Sequence, residues 1–265
     1  MMATVWVGLG LAVVVGVALG LLGGGGSILT VPILTYVVGF DPQEAIAASL
    51  FIVGVTSAIG VLSHARARRV RWRVGVIFGA ASMVGAFFGG FAGGRIPGSV
   101  LMILFAIMMV ATAAAMLRGR KQSAPVVHPR GHLPILRILL DGLAVGVATG
   151  LVGAGGGFLV VPALNLLGGL PMAVAVGTSL LVIAMKSFAG LGGYLVSVQF
   201  DWPLVLAFTL IAIGGSFAGS ALAGRIPEKA LRRGFGYFVL VMGALVLVQE
   251  VPEVLHTVGE YASAG

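Results

Sequence analysis

Apolar residues fall along this chain in runs too long and too unbroken for the alternation of a half-buried strand or the single stripe of a surface helix. The runs cover residues 5–22, 45–62, 74–91, 100–117, 172–185, 204–222 and 235–248, and polar residues collect in the short stretches between them. Each run approaches or reaches the roughly 20 residues that a helix needs to cross hydrocarbon. Two shorter apolar stretches, 28–38 and 158–167, each follow a glycine tract. The alternating ten-residue segments of a membrane barrel are absent, so backbone hydrogen bonds must be satisfied inside helices. The pattern predicts an all-α, polytopic membrane protein. The first run lacks a basic n-region and a small-residue cleavage site, and is expected to belong to the mature fold.

The same pattern occurs twice. Shifted by 130 positions without a gap, the chain matches itself at 13 of the 20 positions from Val15 to Leu34. The register continues through Ser49 and Ser179, Ser57 and Ser187, Trp72 and Trp202, and ends at "GRIP" 94–97 against "GRIP" 224–227. This is an internal duplication. Repeat one is expected at 1–117, a linker loop at 118–137, repeat two at 138–249 and a tail at 250–265.

Charge gives the copies their direction. The loop after the third element of copy one, "HARARRVRWR", holds five arginines, whereas its counterpart "YLVSVQFDWP" holds none. If lysine and arginine mark the cytoplasmic side, equivalent loops lie on opposite faces of the membrane. Fourteen of the 16 basic residues then fall inside, including those of the linker, with Arg95 outside and Lys186 within an apolar run. Both termini fall outside, with the acidic tail. The expectation is two inverted-topology repeats with Gly-rich broken or re-entrant helices, a plan recurrent in secondary transporters that place their substrate near the midplane. The stretches after the glycines are short for a full crossing, which favours re-entry.

Candidate chemistry follows from what is costly in lipid. A helix interrupted at "GGGGS" (23–27) or "GAGGG" (153–157) frees amide N–H groups, and an anion is the natural partner at a new helix N-terminus. Gly25, Gly26 and Ser27 in copy one and Gly155, Gly156 and Gly157 in copy two are the candidates. A second reading of the same glycines is tight helix crossing. A soluble phosphate loop is excluded because the Lys-Ser/Thr ending is missing. Lys186, deep in "TSLLVIAMKSFAG", is a site candidate because charge there is expensive; snorkelling or pairing with a carbonyl is the alternative. Ser179 shares its helix face, with Thr178 and Ser187 beside it, and copy one offers Ser49, Thr56 and Ser57 at the same spacing. Hydroxyl donors and one ammonium suit an anion with several oxygens. Asn165, with its counterpart Thr35, is a weaker candidate on the short stretches. Arg95 and Arg225 read as helix-end residues, and Trp72 and Trp202 as interface anchors.

Bulk composition agrees. With 59% hydrophobic and 9% charged residues, the 265-residue chain cannot cover a water-soluble globule. A net charge of +8 would point to nucleic acid in a soluble protein, but here the basic residues lie in loops facing lipid, so nucleic acid is not an expected partner. No cysteine occurs and the four histidines lack ligand spacing, so neither a thiol relay nor a metal site is expected. No cofactor is expected. An enzyme is not expected either, since Ser27 has no histidine at comparable depth.

The tracts "GGGGSILTVPIL" and "GAGGGFLVVPAL", the later "AASL" and "GTSL", and the arginine-rich mid-loop resemble the TauE/SafE family, also called the sulfite exporter family, over about residues 8 to 248. The resemblance implies a bacterial-type inner-membrane carrier of sulfite or small organosulfonates such as sulfoacetate, often exported. It carries over only the glycine motifs with Pro32 and Pro162. Copy one has Ser27 where copy two has Gly157, and only copy two has the lysine. The expected mechanism is alternating access around a small anionic substrate. The rivals are an anion channel and a non-transporting assembly protein. Membrane lipid is the other expected partner, and a homo-oligomer stays open.

Overall fold

Among the described residues every long apolar run of the sequence is helical. In a computed structural model the described residues are 2–22, 25–118, 135–153, 159–161, 164, 170–222, 233–234, 236–237 and 239–250. Gly155, Gly156, Gly157, Pro162 and Asn165 lie outside them. Copy one contains α1 (Met2–Leu22), a single turn α2 (Thr30–Pro32), α3 (Pro42–Arg66), α4 (Trp72–Gly93) and α5 (Gly98–Arg118). Copy two contains α6 (Ile135–Val152), α7 (Met172–Tyr194), α8 (Trp202–Leu222) and α9 (Val239–Glu250). Four of these, α3, α4, α7 and α8, are long and apolar enough to cross a membrane. The helical ends of α5 and α6 narrow the segment between the copies to residues 119–134, which lies outside the described residues.

Local chemistry sets the boundaries. Asp41 and Pro171 are extended N-caps of α3 and α7, with Pro42 inside the first turn of α3, where its missing N–H costs nothing. Pro97 precedes α5 and its carbonyl accepts the first helical bond from Leu101 N. Arg95 closes α4: its guanidinium donates to the Phe91 carbonyl at 2.7 Å and lies 3.6 Å from the Phe91 ring centre. Helix-end carbonyls have no partner of their own, so this cation serves as a cap.

The short stretch of copy one is irregular. A tight 3₁₀ turn, Gly25–Leu29, leads into α2, and a wide π turn, Ile33–Val38, follows. Pro32 cannot donate to the carbonyl of Ile28, which puts the change of pitch beside it. The stretch runs back along α1: Val38 comes so close to Gly8 that a Cβ there would stand 2.7 Å from its Cγ2. It closes with a bond from Phe40 N to Leu34 O. The corresponding bond in copy two, Leu170 N to Leu164 O, lies 130 residues on.

The helices of one copy pack chiefly against those of the other. Gly16 and Gly20 of α1 press on the backbone of Ala212 and Ser216 in α8, while Gly146 and Gly150 of α6 press on Ser82 and Ala86 in α4. Adding 130 to the first residue of each α1–α8 pair and subtracting it from the second gives the α6–α4 pairs. Both seams are parallel, since the contact numbers rise together. At the centre α3 crosses α7, where a Cβ on Gly54 would stand 3.3 Å from Ser187 Cβ and one on Gly60 3.3 Å from Leu180 Cδ1. Here one number rises as the other falls, so these two equivalent helices run antiparallel.

Candidate functional site

Lys186 lies in the middle of α7 and is 1% exposed. Its Nζ donates to Thr149 Oγ1 of α6 at 2.8 Å. The Thr149 hydroxyl spends its own proton on the Val145 carbonyl at 2.7 Å, with Gly146 O at 3.3 Å. Among the described residues Lys186 has no carboxylate partner and no further hydrogen bond. An ammonium has three donors, so two remain for something else.

One turn beyond Thr149 the helix stops. Gly153 N donates to the Thr149 carbonyl at 2.9 Å, and Gly153 then turns left-handed at φ +68°. Ile46 of α3 occupies the place where a Cβ on Gly153 would sit. Three residues along α3, on the same face as Ile46, Ser49 carries a buried hydroxyl without a partner. Gly153 is therefore packed by α3 of the other copy, one turn beyond the threonine that meets Lys186.

Thr56 and Ser57 lie in the middle of α3, and Ser187 lies in α7 where that helix passes Gly54 of α3; all three hydroxyls are buried and, among the described residues, unpartnered. Buried hydroxyls nearly always find a partner, so three orphans on two packed helices, one of which carries a buried lysine, mark an unusual place. Thr56 is the equivalent of Lys186 under the shift of 130. Ser49 and Ser179, which the sequence groups with this cluster, lie seven residues from it, about 10 Å along each helix. Because α3 and α7 are antiparallel they diverge to opposite ends. Ser179 donates to the Val176 carbonyl at 2.7 Å. Thr178 accepts a hydrogen bond from Arg71 N at 3.0 Å and so anchors the arginine-rich loop. Ser27 is fully buried at the start of the short stretch, within the turn that begins at Gly25 and Gly26. Two neighbours, Thr30 and Thr35, carry buried unpartnered hydroxyls.

Sequence reasoning missed Thr149, whose signal was its mismatch: it stands where copy one has the buried Leu19. Glu250 is expected from sequence as the first residue of the tail, with no partner assigned to it. Glu250 ends α9, is 6% exposed and accepts a hydrogen bond from Tyr36 OH at 2.8 Å.

The family model described as Sulfite exporter TauE/SafE matches residues 8–246. The chain belongs to the TauE/SafE sulfite exporter family. TauE/SafE membership makes it a member of a transporter family built from several apolar helices. A protein of Xylella fastidiosa strain 9a5c is 38% identical over 240 residues, 88% of this chain and 91% of that one, and carries the name "Probable membrane transporter protein". Methanocaldococcus jannaschii has a relative of the same name, MJ0441, 29% identical over 257 residues, 90% of this chain and 95% of its own. "Probable membrane transporter protein YdhB" of Bacillus subtilis is 27% identical over 235 residues, 88% of this chain and 96% of its own. No solved structure matches the chain.

Proposed function

We propose that this TauE/SafE protein carries a small sulfur oxyanion, sulfite or an organosulfonate such as sulfoacetate, outward across a bacterial-type inner membrane by alternating access. The observation that carries the reading is the buried Lys186 ammonium, with one neutral partner and no counter-charge among the described residues. A cation at mid-bilayer costs about 2.5–3.5 kcal/mol on insertion scales. An anion bound beside it relieves that cost, and the buried hydroxyls of Thr56, Ser57 and Ser187 are candidate neutral donors to its oxygens, with Ser49 about 10 Å further along α3. The glycine breaks add backbone donors, from Gly25, Gly26 and Ser27 in copy one and from 155–157 in copy two, with Asn165 nearby in sequence.

In this proposal residues 1–117 and 138–249 are inverted repeats that rock about the α3–α7 crossing. Two features support it: the seams that map onto each other under the shift of 130, and equivalent helices that cross antiparallel. The linker and the arginine-rich loop are cytoplasmic and both termini external, as the arginine distribution favours. An anion leaving a cell with a negative interior gains about 2.3 kcal/mol per charge per 100 mV, so export runs downhill without a coupling ion.

Proteoliposome flux tests the reading with sulfite, sulfoacetate, sulfate and phosphate. Wild type is expected to give saturable flux of sulfite or sulfoacetate, lowered at least about tenfold by Lys186→Met, the equivalent of more than 1.4 kcal/mol. Saturable flux of none of the four removes the transport assignment, and undiminished flux in Lys186→Met removes the lysine from the site.

A further inference from the structure

We propose that Thr149 is the positioning residue of the anion site: it holds the Lys186 ammonium one turn before the helix break of copy two. The inference rests on the reading of Lys186 as a substrate ligand. Its geometry is independent of that reading. Thr149 is buried, and its hydroxyl proton is committed to the Val145 carbonyl, so the side that meets Lys186 is purely an acceptor. An acceptor with a fixed direction pins one N–H of the ammonium and thereby aims the other two. The carbonyl of the same residue receives the last helical bond, from Gly153 N, before the chain turns left-handed. Thr149 thus ties the charge to the place where the backbone opens.

The duplication isolates this pair. In copy one Leu19 stands for Thr149 and Thr56 for Lys186, and the Thr56 hydroxyl is unpartnered. Two departures from the repeat, 37 residues apart in sequence, meet at 2.8 Å. A threonine serving only its own helix would need nothing more than the Val145 carbonyl, and a leucine fills the same place in copy one. The acceptor facing Lys186 is what the leucine could not supply.

The test uses the full-length protein in proteoliposomes, with radiolabelled sulfite as probe and melting of the detergent-purified protein as the check on folding. Thr149→Val keeps the shape and removes the acceptor. It is expected to raise KM for sulfite roughly tenfold while kcat changes less than about threefold, the split produced when binding geometry alone is lost. Thr149→Ser restores the hydroxyl and is expected to recover most of the KM. If Thr149→Val does not fold, Thr149→Cys, of similar size but a weak acceptor, is expected to lie between the two. Unchanged KM in Thr149→Val or Thr149→Cys alongside loss of flux in Lys186→Met overturns the inference and leaves the site standing. Equal loss in the serine and valine variants makes Thr149 a packing residue and also overturns it. Undiminished flux in Lys186→Met overturns the site reading itself.

Discussion

Gly153 shows how much a single backbone position can carry. Its left-handed φ disfavours any side chain, and Ile46 fills the space a Cβ would need. The first factor costs about 1–2 kcal/mol and overpacking about 1–3 kcal/mol, so Gly153→Ala is expected to lose about 2–5 kcal/mol, read as a fall in melting temperature in detergent. Ile46→Ala on that background is expected to return part of the loss, since the two positions are in contact and should not be additive. Full additivity would mean that the strain lies in φ alone. Sequence shows that a glycine is here, but not the isoleucine from the other copy that makes it necessary. Lys186 was legible because a charge amid aliphatic residues has few explanations. Thr149 was not, because a threonine in an apolar helix can always turn its hydroxyl to its own backbone, and only the third dimension reveals a second partner.

At the scale of the element, hydropathy runs foretold α1, α3, α4, α5 and α8 to within a few residues, whereas α7 continues nine residues past its run, to Tyr194. A run long enough to span lipid has one stable backbone form, which is why they were readable. The short stretch after the first glycine tract was readable as apolar and interrupted, but not as 3₁₀, α and π turns in succession. Such turns differ in hydrogen-bond register around Pro32, not in composition. The role of the scattered glycines became clear only from the seams, where one backbone lies directly on another. Gly16 and Gly20 of one seam have their images in Gly146 and Gly150 of the other, which makes a paired prediction. Gly16→Ala and Gly146→Ala are each expected to lower the melting temperature by similar amounts, equivalent to about 1–3 kcal/mol. Gly214→Ala, in the middle of α8 with open space around it, is expected to be neutral or stabilising by up to about 1 kcal/mol through helix propensity. A loss at Gly16 without one at Gly146 would break the equivalence.

Across the whole molecule, topology is the testable quantity. The chain has no cysteine, so single-cysteine variants can be labelled cleanly. Arg69 and Gln199 occupy equivalent loops 130 residues apart and both are exposed. Arg69→Cys and Gln199→Cys are expected to react with a membrane-impermeant maleimide from opposite sides of oriented membranes; reaction from one side would end the inverted arrangement. The two-copy pattern was plain in the sequence, and so was the arginine asymmetry that suggested inversion. What a one-dimensional string cannot carry is who packs on whom. Helices joined by short loops are not each other's main neighbours: α4 lies along α6 and α7, and α1 along α8. That exchange has a cost for modularity. Cut apart between the repeats, each fragment would bare a row of glycines shaped for another backbone, a surface that lipid tails fit poorly. The halves are therefore interlocked, and neither is an autonomous domain.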